Sequence, residues 1–204
     1  MSYDDLFLLI TDHGVDSLEY ILPGREIVAR EQKPFAIVAE NVEGQALAAL
    51  IMNSARGQMD LAAIKAPHYG EQRRNLLKDL ALSTGAAYIS RDSGKKLKEV
   101  KLQDLGRART LESQKNWTTI VGGEGDFDQV EERIAALKEE IKQTEDLQEC
   151  ELIQERITKL ASGVAIIKVG GTTEIERTVK KHRGEDALGA VRAGTAEGRA
   201  PGGG

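Results

Sequence analysis

The sequence has few of the residues that build disulfides, metal sites or aromatic clusters. Cys150 is the single cysteine among 204 residues, which excludes an internal disulfide and a cysteine-based zinc site. The histidines His13, His68 and His182 lie far apart in sequence, and none stands beside a cluster with ligand spacing, so no metal site is predicted. Aromatic residues make up only 4% of the chain, and there are only four prolines.

Long apolar runs and an excess of basic charge are also missing. No run approaches the roughly 20 apolar residues that a membrane span needs, and no signal peptide is recognisable. The chain has 28 basic and 33 acidic residues, which argues against nucleic acid as the main partner because phosphate binding needs clustered Lys and Arg. We therefore expect a cytoplasmic protein without a membrane or nucleic-acid partner.

Short apolar segments alternate with helical patterns through the first half of the chain. Strands are predicted at residues 6–10, 35–39, 61–65 and 87–90, and helices at 43–56 and 71–83. Pro23 interrupts an earlier apolar pattern, so a helix is predicted to begin there, with proline in its first turn, and to run to about Glu31. Alternating strands and helices predict an α/β fold, a sheet core flanked by helices.

The second half reads as two strands followed by a helical hairpin. Strands are predicted at 107–112 and 117–121, and Gly122 to Gly125 as a loop that lacks the Lys-Ser/Thr of a phosphate-binding loop. Residues 126–145 carry an apolar seam spaced 3, 4, 3, 4, which favours a helix. A second helix follows at about 152–160, then a strand at 164–169 and a long polar helix at 172–198.

The predicted helix at 43–56 is more apolar than the surface of an α/β core requires. Residues 46–52 are all apolar, and at about 100° per residue they cover nearly the whole circumference. The face with Leu47, Ile51 and Met52 is therefore either buried on its outer side or exposed as the wall of a binding groove. Exposed apolar patches usually mark binding sites, and methionine favours adaptable contacts.

Several segments together resemble group I chaperonins, the GroEL-like proteins. Residues 37–47 read I-V-A-E-N-V-E-G-Q-A-L, and residues 63–70 read A-I-K-A-P-H-Y-G, similar to the family's K-A-P-G-F-G. Residues 154–170 are close to the family's Q-E-R-x-x-K-L-A-G-G-V-A-V-I-K-V-G, and the stretch from Glu185 to Gly204 resembles its E-D-A-L…R…E-G…G-G-G. The resemblance covers about residues 6–204.

The resemblance implies a domain organisation. Residues 1–161 correspond to an apical, polypeptide-binding domain, and Ser162 and Gly163 to its hinge. Residues 162–204 correspond to part of an intermediate domain that runs into the start of an equatorial domain. The family forms homo-oligomeric rings mainly through the equatorial domain, so we expect this chain to be monomeric.

The resemblance also implies a binding site. Two apical helices of the family bind non-native polypeptides and a GroES-like co-chaperonin in an apolar groove. By position, the groove contacts are Leu22, Leu47, Ile51 and Met52. Arg25 stands where the family usually has an apolar residue, which implies weaker apolar docking and a preference for acidic clients. Gly24 beside it is a second departure.

By the same resemblance, Asp186 matches a catalytic aspartate and Gly203 a nucleotide-contacting glycine. The complete family uses ATP and Mg. Positioning and phosphate binding supply nearly all of phosphoryl-transfer catalysis, and the residues that would supply them are not among those that the resemblance covers. No cofactor is therefore expected for this chain. Two alternatives to a polypeptide-binding module stay open. The chain could contribute Asp186 to an ATPase with other segments, or it could be a degenerate remnant.

Overall fold

A computed structural model describes residues 2–55, 60–114 and 116–168. The strands are β1 (Ser2–Thr11), β2 (Gly14–Val15), β3 (Phe35–Ala39), β4 (Asn41–Val42), β5 (Leu61–Lys65), β6 (Tyr88–Ile89), β7 (Gly106–Ser113), β8 (Trp117–Gly123) and β9 (Val164–Lys168). The helices are α1 (Leu18–Glu31), α2 (Gly44–Ala55), α3 (Gly70–Thr84), α4 (Phe127–Gln143) and α5 (Leu147–Ser162). The predicted α/β class is confirmed.

The main sheet is mixed and has two halves that meet at β1. Its strand order is β5-β3-β1-β7-β8-β9, and β6 pairs with the end of β1. The strands β1, β3, β5 and β6 run parallel, whereas β7, β8 and β9 pair in antiparallel fashion. The short strands β2 and β4 form a separate parallel pair.

The central strand β1 is buried on both faces. Leu6, Leu8 and Ile10 contribute to the core on one face, and Phe7 and Leu9 to the core on the other. All five side chains are at most 4% exposed. A strand covered on both faces reads as a continuous apolar run rather than an alternating one, which is why this segment was recognisable in the sequence.

Helices cover the two faces in separate layers. The core that contains Phe7 includes residues of α1 and α2, and the opposite core includes Leu77 and Leu80 of α3. The α4–α5 hairpin has its own small core and contacts α3 from outside. The hairpin core consists of Ile134, Leu137, Ile153, Ile157 and Leu160.

A carboxylate of α3 fixes the hairpin to the rest of the molecule. Asp79, whose side chain is 12% exposed, accepts hydrogen bonds from Arg133 Nη1 at 2.8 Å and from Arg156 Nε at 2.6 Å. Arg156 Nη2 donates a further bond at 3.0 Å, so this pair is bidentate. Each helix of the hairpin therefore has a charged contact to the same acceptor.

The predicted start of the first helix was wrong. Helix α1 begins at Leu18, five residues before Pro23, and the proline lies inside it. Proline inside a helix removes one hydrogen bond of the ladder, and its ring crowds the carbonyl of residue i−4, but Ile21, which is 1% exposed, holds the preceding turn against the core. Packing therefore outweighs the local preference of proline for the first turn.

Two further boundaries differ from the predictions. Strand β1 begins at Ser2 rather than at residue 6, because the polar start of the chain pairs with β7. Gly122 and Gly123 belong to the end of β8 instead of a loop. A Cβ on Gly123 would lie 2.2 Å from the Ser83 carbonyl oxygen, so this glycine permits the close approach of α3.

Candidate functional site

Helices α1 and α2 contact each other on the same face of the sheet. On their inner sides, Ile21 and Ile27 of α1 and Ala46 and Leu50 of α2 are at most 7% exposed. Ala46 and Leu50 are four residues apart. Ile21 and Ile27 each lie three residues from the buried Gly24. These are the spacings that place residues on one face of a helix. The inward faces are thus committed to the core, and the outward faces are left for solvent.

The residues predicted to bind polypeptide lie on α1 and α2, outside this inner row. The exposed fraction is 37% for Leu22 and 50% for Met52. Leu47 and Ile51 are partly buried and pack against the core cluster. We call Leu22, Arg25, Leu47, Ile51 and Met52 the α1–α2 surface. These residues lie on two helices that contact each other, and Arg25 is the one cation among the five.

Arg25 is half-buried on this surface, one helical turn after Leu22. Its Nε is buried and has no hydrogen-bond partner, and no ion pair of its guanidinium occurs among the described residues. A buried donor without an acceptor costs about 1 to 3 kcal/mol in desolvation, and more when it is charged. The α1–α2 surface therefore carries an unsatisfied cationic donor.

Gly24 sets how closely α1 approaches the sheet. A Cβ at this position would lie 2.9 Å from Cζ of Phe35, a side chain that is fully buried. The glycine that departs from the chaperonin pattern thus has a packing reason in this chain. Its absence of a side chain lets the helix backbone rest on the aromatic ring.

A charged cluster holds the segment between β3 and α2. Glu40 accepts a hydrogen bond from Arg73 Nη1 at 2.9 Å and is also paired with Arg91. The backbone N–H of Glu43 donates to the carbonyl of Val15 at 3.0 Å. No local pattern in the sequence identifies Glu40 as the centre of this cluster, because its partners are 33 and 51 residues away along the chain.

Tyr88 lies at the same end of the sheet as this cluster. Burial raises the pKa of its hydroxyl to about 12, and the negative charge of Asp12 acts in the same direction. The hydroxyl is therefore protonated at neutral pH, in a form that cannot act as a base. Among the described residues, no group of three His, Cys, Asp or Glu side chains could hold a metal ion.

The segment that resembles K-A-P-G-F-G contains a strained residue. His68 has φ of +64°, in the left-handed region that favours glycine. It stands where the chaperonin motif has its first glycine. The following side chain, Tyr69, is 83% exposed. This loop leads from β5 to α3 and is not part of the α1–α2 surface.

A cavity of about 210 Å³ lies elsewhere, between α3, α5 and strands β8 and β9. Its walls include the apolar Leu76, Leu152 and Ile166, and the acidic Glu71 and Glu155. None of the residues predicted to bind polypeptide lines it. No local pattern of residues indicates this cavity, because its walls come from segments up to about 100 residues apart.

The predicted hinge residues form the turn between α5 and β9. Gly163 has φ of +71°, and its N–H donates to the Lys159 carbonyl at 3.1 Å, so it caps the helix. The Ser162 hydroxyl accepts from the N–H of Val164 at 3.2 Å. Strand β9 then pairs with β8 in the main sheet. A hinge motion at Ser162 and Gly163 stays a prediction.

The remaining predicted site residues, Asp186 and Gly203, and the predicted helix at 172–198 lie outside the described residues. No described helix has the length and apolar character to span a membrane. A comparison with protein-family models gives no match.

Proposed function

We propose that this chain is the polypeptide-binding part of a chaperonin-like protein. In this proposal, extended apolar segments of non-native proteins bind to the α1–α2 surface. The observation that carries it is the coincidence of two facts. Leu22 and Met52 are exposed on helices that contact each other, and α2 begins within residues 37–47, one of the segments that resemble the group I chaperonin pattern.

The energetics favour weak and unselective binding at one site. Burying roughly 200 Å² of apolar surface contributes about 5 kcal/mol at 25 cal/mol per Å². Association alone costs on the order of 4 to 15 kcal/mol. A single α1–α2 surface therefore holds a client only transiently, and several linked copies would hold it much more strongly. In this proposal, the gain in affinity from several linked surfaces is the advantage of a ring in the complete family.

The wider role follows from the chaperonin resemblance and is part of the proposal. A GroES-like co-chaperonin would compete with clients for the same surface. ATP and Mg would act only in a complete, ring-forming protein of the cytoplasm, and this chain alone would be monomeric and inactive as an ATPase.

The first test is the binding of an extended apolar peptide to the purified chain. Fluorescence anisotropy of a labelled peptide measures it without ATP or a partner. Ile51→Glu places a charge on the surface and is expected to abolish saturable binding. Ile51 is partly buried and packs on the core, so Met52→Glu, at a half-exposed position, separates lost binding from lost folding.

Leu147→Glu provides the matched control. Leu147 is 79% exposed at the start of α5, in the hairpin beyond α3. The same change of charge there is expected to leave peptide binding unchanged. Absence of binding by the folded wild-type chain would reject the proposed function and favour the degenerate remnant.

A further inference from the structure

We propose that Arg25 makes the α1–α2 surface selective for apolar segments that carry a carboxylate beside their apolar residues. This inference rests on the proposed function and names the class of client that it serves. The preferred partner is a segment with adjacent leucine-like side chains and one Asp or Glu. A segment with Lys or Arg at the same place is disfavoured.

Arg25 has a side-chain donor without a partner in the part of the protein that the structure describes. Its Nε is buried without an acceptor, and its guanidinium forms no ion pair among the described residues. The Nε atoms of Arg73 and Arg107 are also buried without a partner, but both arginines form an ion pair through another nitrogen, Arg73 with Glu40 and Arg107 with Asp5. Arg25 is thus a cation that combines a buried, unpartnered Nε with the absence of an ion pair in the described part of the chain.

Arg25 lies next to an apolar residue of its own helix. Leu22 precedes it by one helical turn, and three residues of helix advance about 4.5 Å. An extended ligand advances about 3.3 Å per residue. When a ligand side chain contacts Leu22, a carboxylate one or two residues away therefore comes within reach of the guanidinium.

The surroundings of Arg25 determine how strongly a charge pair there is screened. Arg25 is half-buried beside apolar residues, and a bound segment would exclude more water from it. A charge pair in such a place is screened less than one in bulk water, and guanidinium binds carboxylate in a planar, bidentate manner. Placing a second cation there would instead add repulsion and desolvation.

The experiment compares capped, fluorescein-labelled peptides that differ at one residue. The sequence is Ser-Leu-Val-Leu-X-Ser, where X is Glu, Gln or Lys, and a second set places X before the apolar triplet. The Glu peptide is expected to bind the wild-type chain about threefold to tenfold more tightly than the Gln peptide. The Lys peptide is expected to bind more weakly than both, and added salt is expected to reduce the differences.

Two variants assign the selectivity to one side chain. Arg25→Leu is expected to bind the three peptides equally and the Gln peptide at least as tightly as wild type. Arg25→Glu is expected to reverse the order of the Glu and Lys peptides. Arg30→Leu removes the same charge from an exposed position near the end of α1, and it is expected to retain the wild-type order.

The outcomes separate this inference from the proposed function. Equal binding of the three peptides by the wild-type chain overturns the selective role of Arg25. It leaves the proposed binding of peptides at the α1–α2 surface standing. Binding by Arg25→Leu but not by the folded wild-type chain also overturns this selective role, together with the proposed function of this chain, because Arg25 then closes the surface. Absence of binding by wild type and by Arg25→Leu overturns the proposed function as well.

Discussion

At the scale of single residues, the contact between Gly24 and Phe35 determines how α1 lies on the sheet. Glycine in a helix costs about 1 kcal/mol relative to alanine, so its presence in α1 needs compensation. The compensation is the fully buried ring of Phe35, which occupies the space of the missing Cβ. The residue trades helix propensity for a close helix–sheet approach.

We predict that Gly24→Ala lowers the free energy of unfolding by about 1 to 2 kcal/mol. Overpacking a core typically costs 1 to 3 kcal/mol, and the gain in helix propensity offsets part of it. Urea denaturation followed by circular dichroism measures the change. Gly14→Ala is the control, because nothing lies within 4 Å of its Cβ position. An increase in stability of Gly24→Ala would contradict the packing argument.

His68 provides the second prediction at this scale. Its φ of +64° costs a non-glycine residue about 1 to 2 kcal/mol. His68→Gly is therefore expected to raise the free energy of unfolding by about 0.5 to 1 kcal/mol, since glycine loses some of the gain to its larger chain entropy. His68→Val, with a β-branched side chain, is expected to lower it. If both variants lowered stability, the histidine side chain rather than its backbone would be important.

The candidate site shows what single residues can and cannot reveal in a sequence. The exposure of Met52 follows from an excess of apolar residues on α2, which has only one face to bury, whereas Leu22 is identified only by the chaperonin resemblance. The partial burial of Leu47 and Ile51 does not follow from this excess, because it depends on how α2 tilts against the core. The unpaired state of Arg25 depends on which acidic residues the fold brings near it, which no local pattern encodes.

At the scale of elements, the hairpin of α4 and α5 depends on one acceptor for its charged attachment to α3. Its five-residue apolar core lies between its own two helices. The side chain of Asp79 receives three hydrogen bonds from Arg133 and Arg156. Removal of one partner of a mostly buried ion pair is costly because the other charges remain desolvated.

We predict that Asp79→Ala lowers the free energy of unfolding by about 2 to 3 kcal/mol, since it leaves two arginines unpaired. Chemical denaturation measures the loss, and hydrogen exchange is expected to show it first in α4 and α5. Glu139→Ala is the control, because the Glu139–Lys142 pair is about two-thirds exposed on both sides. Exposed pairs contribute less than about 1 kcal/mol, so equal losses in the two variants would refute the attachment.

Elements were predictable where the local pattern and the packing agree. The apolar seam of α4 has a clear helical period, and the doubly buried strands β1, β3 and β5 appear in the sequence as short continuous apolar runs. The beginning of α1 was not predictable in this way, because Pro23 lies inside the helix, whereas proline is usually a signal for the first turn. The first residues of β1 are polar, and their pairing with β7 joins residues more than 100 positions apart.

At the scale of the whole molecule, Asp5 joins the parallel and antiparallel halves of the sheet. It lies on β1 and pairs with Lys33, just before β3, at 3.0 Å and with Arg107 of β7 at 2.6 Å. Both cations also lie over the ring of Phe7, at 5.9 and 5.2 Å from its centroid. The hydrogen bonds from Lys33 and then Arg107 lower the pKa of the Asp5 carboxyl.

This shift predicts how the stability of the fold depends on pH. A carboxyl whose pKa is lower in the folded state stabilises the fold above its unfolded pKa, near 3.8, and loses this contribution as the pH falls through the folded value. Asp5→Asn is therefore expected to be less stable than wild type at pH 7 and to approach it at the acid end. Urea midpoints at pH 7 and pH 3 measure this difference, and a constant gap would show that charge is not the cause.

The position of β1 in the sheet also has a consequence for synthesis on the ribosome. The strand is synthesised before its neighbour β7, since Leu6 pairs with Ala108, which is made about a hundred residues later. At about 5 to 20 residues per second, one edge of this largely buried strand stays without its native neighbour for roughly 5 to 20 s. Such edges attract other strands. A nascent chain of this protein thus exposes for some seconds the kind of segment that its finished form is proposed to bind.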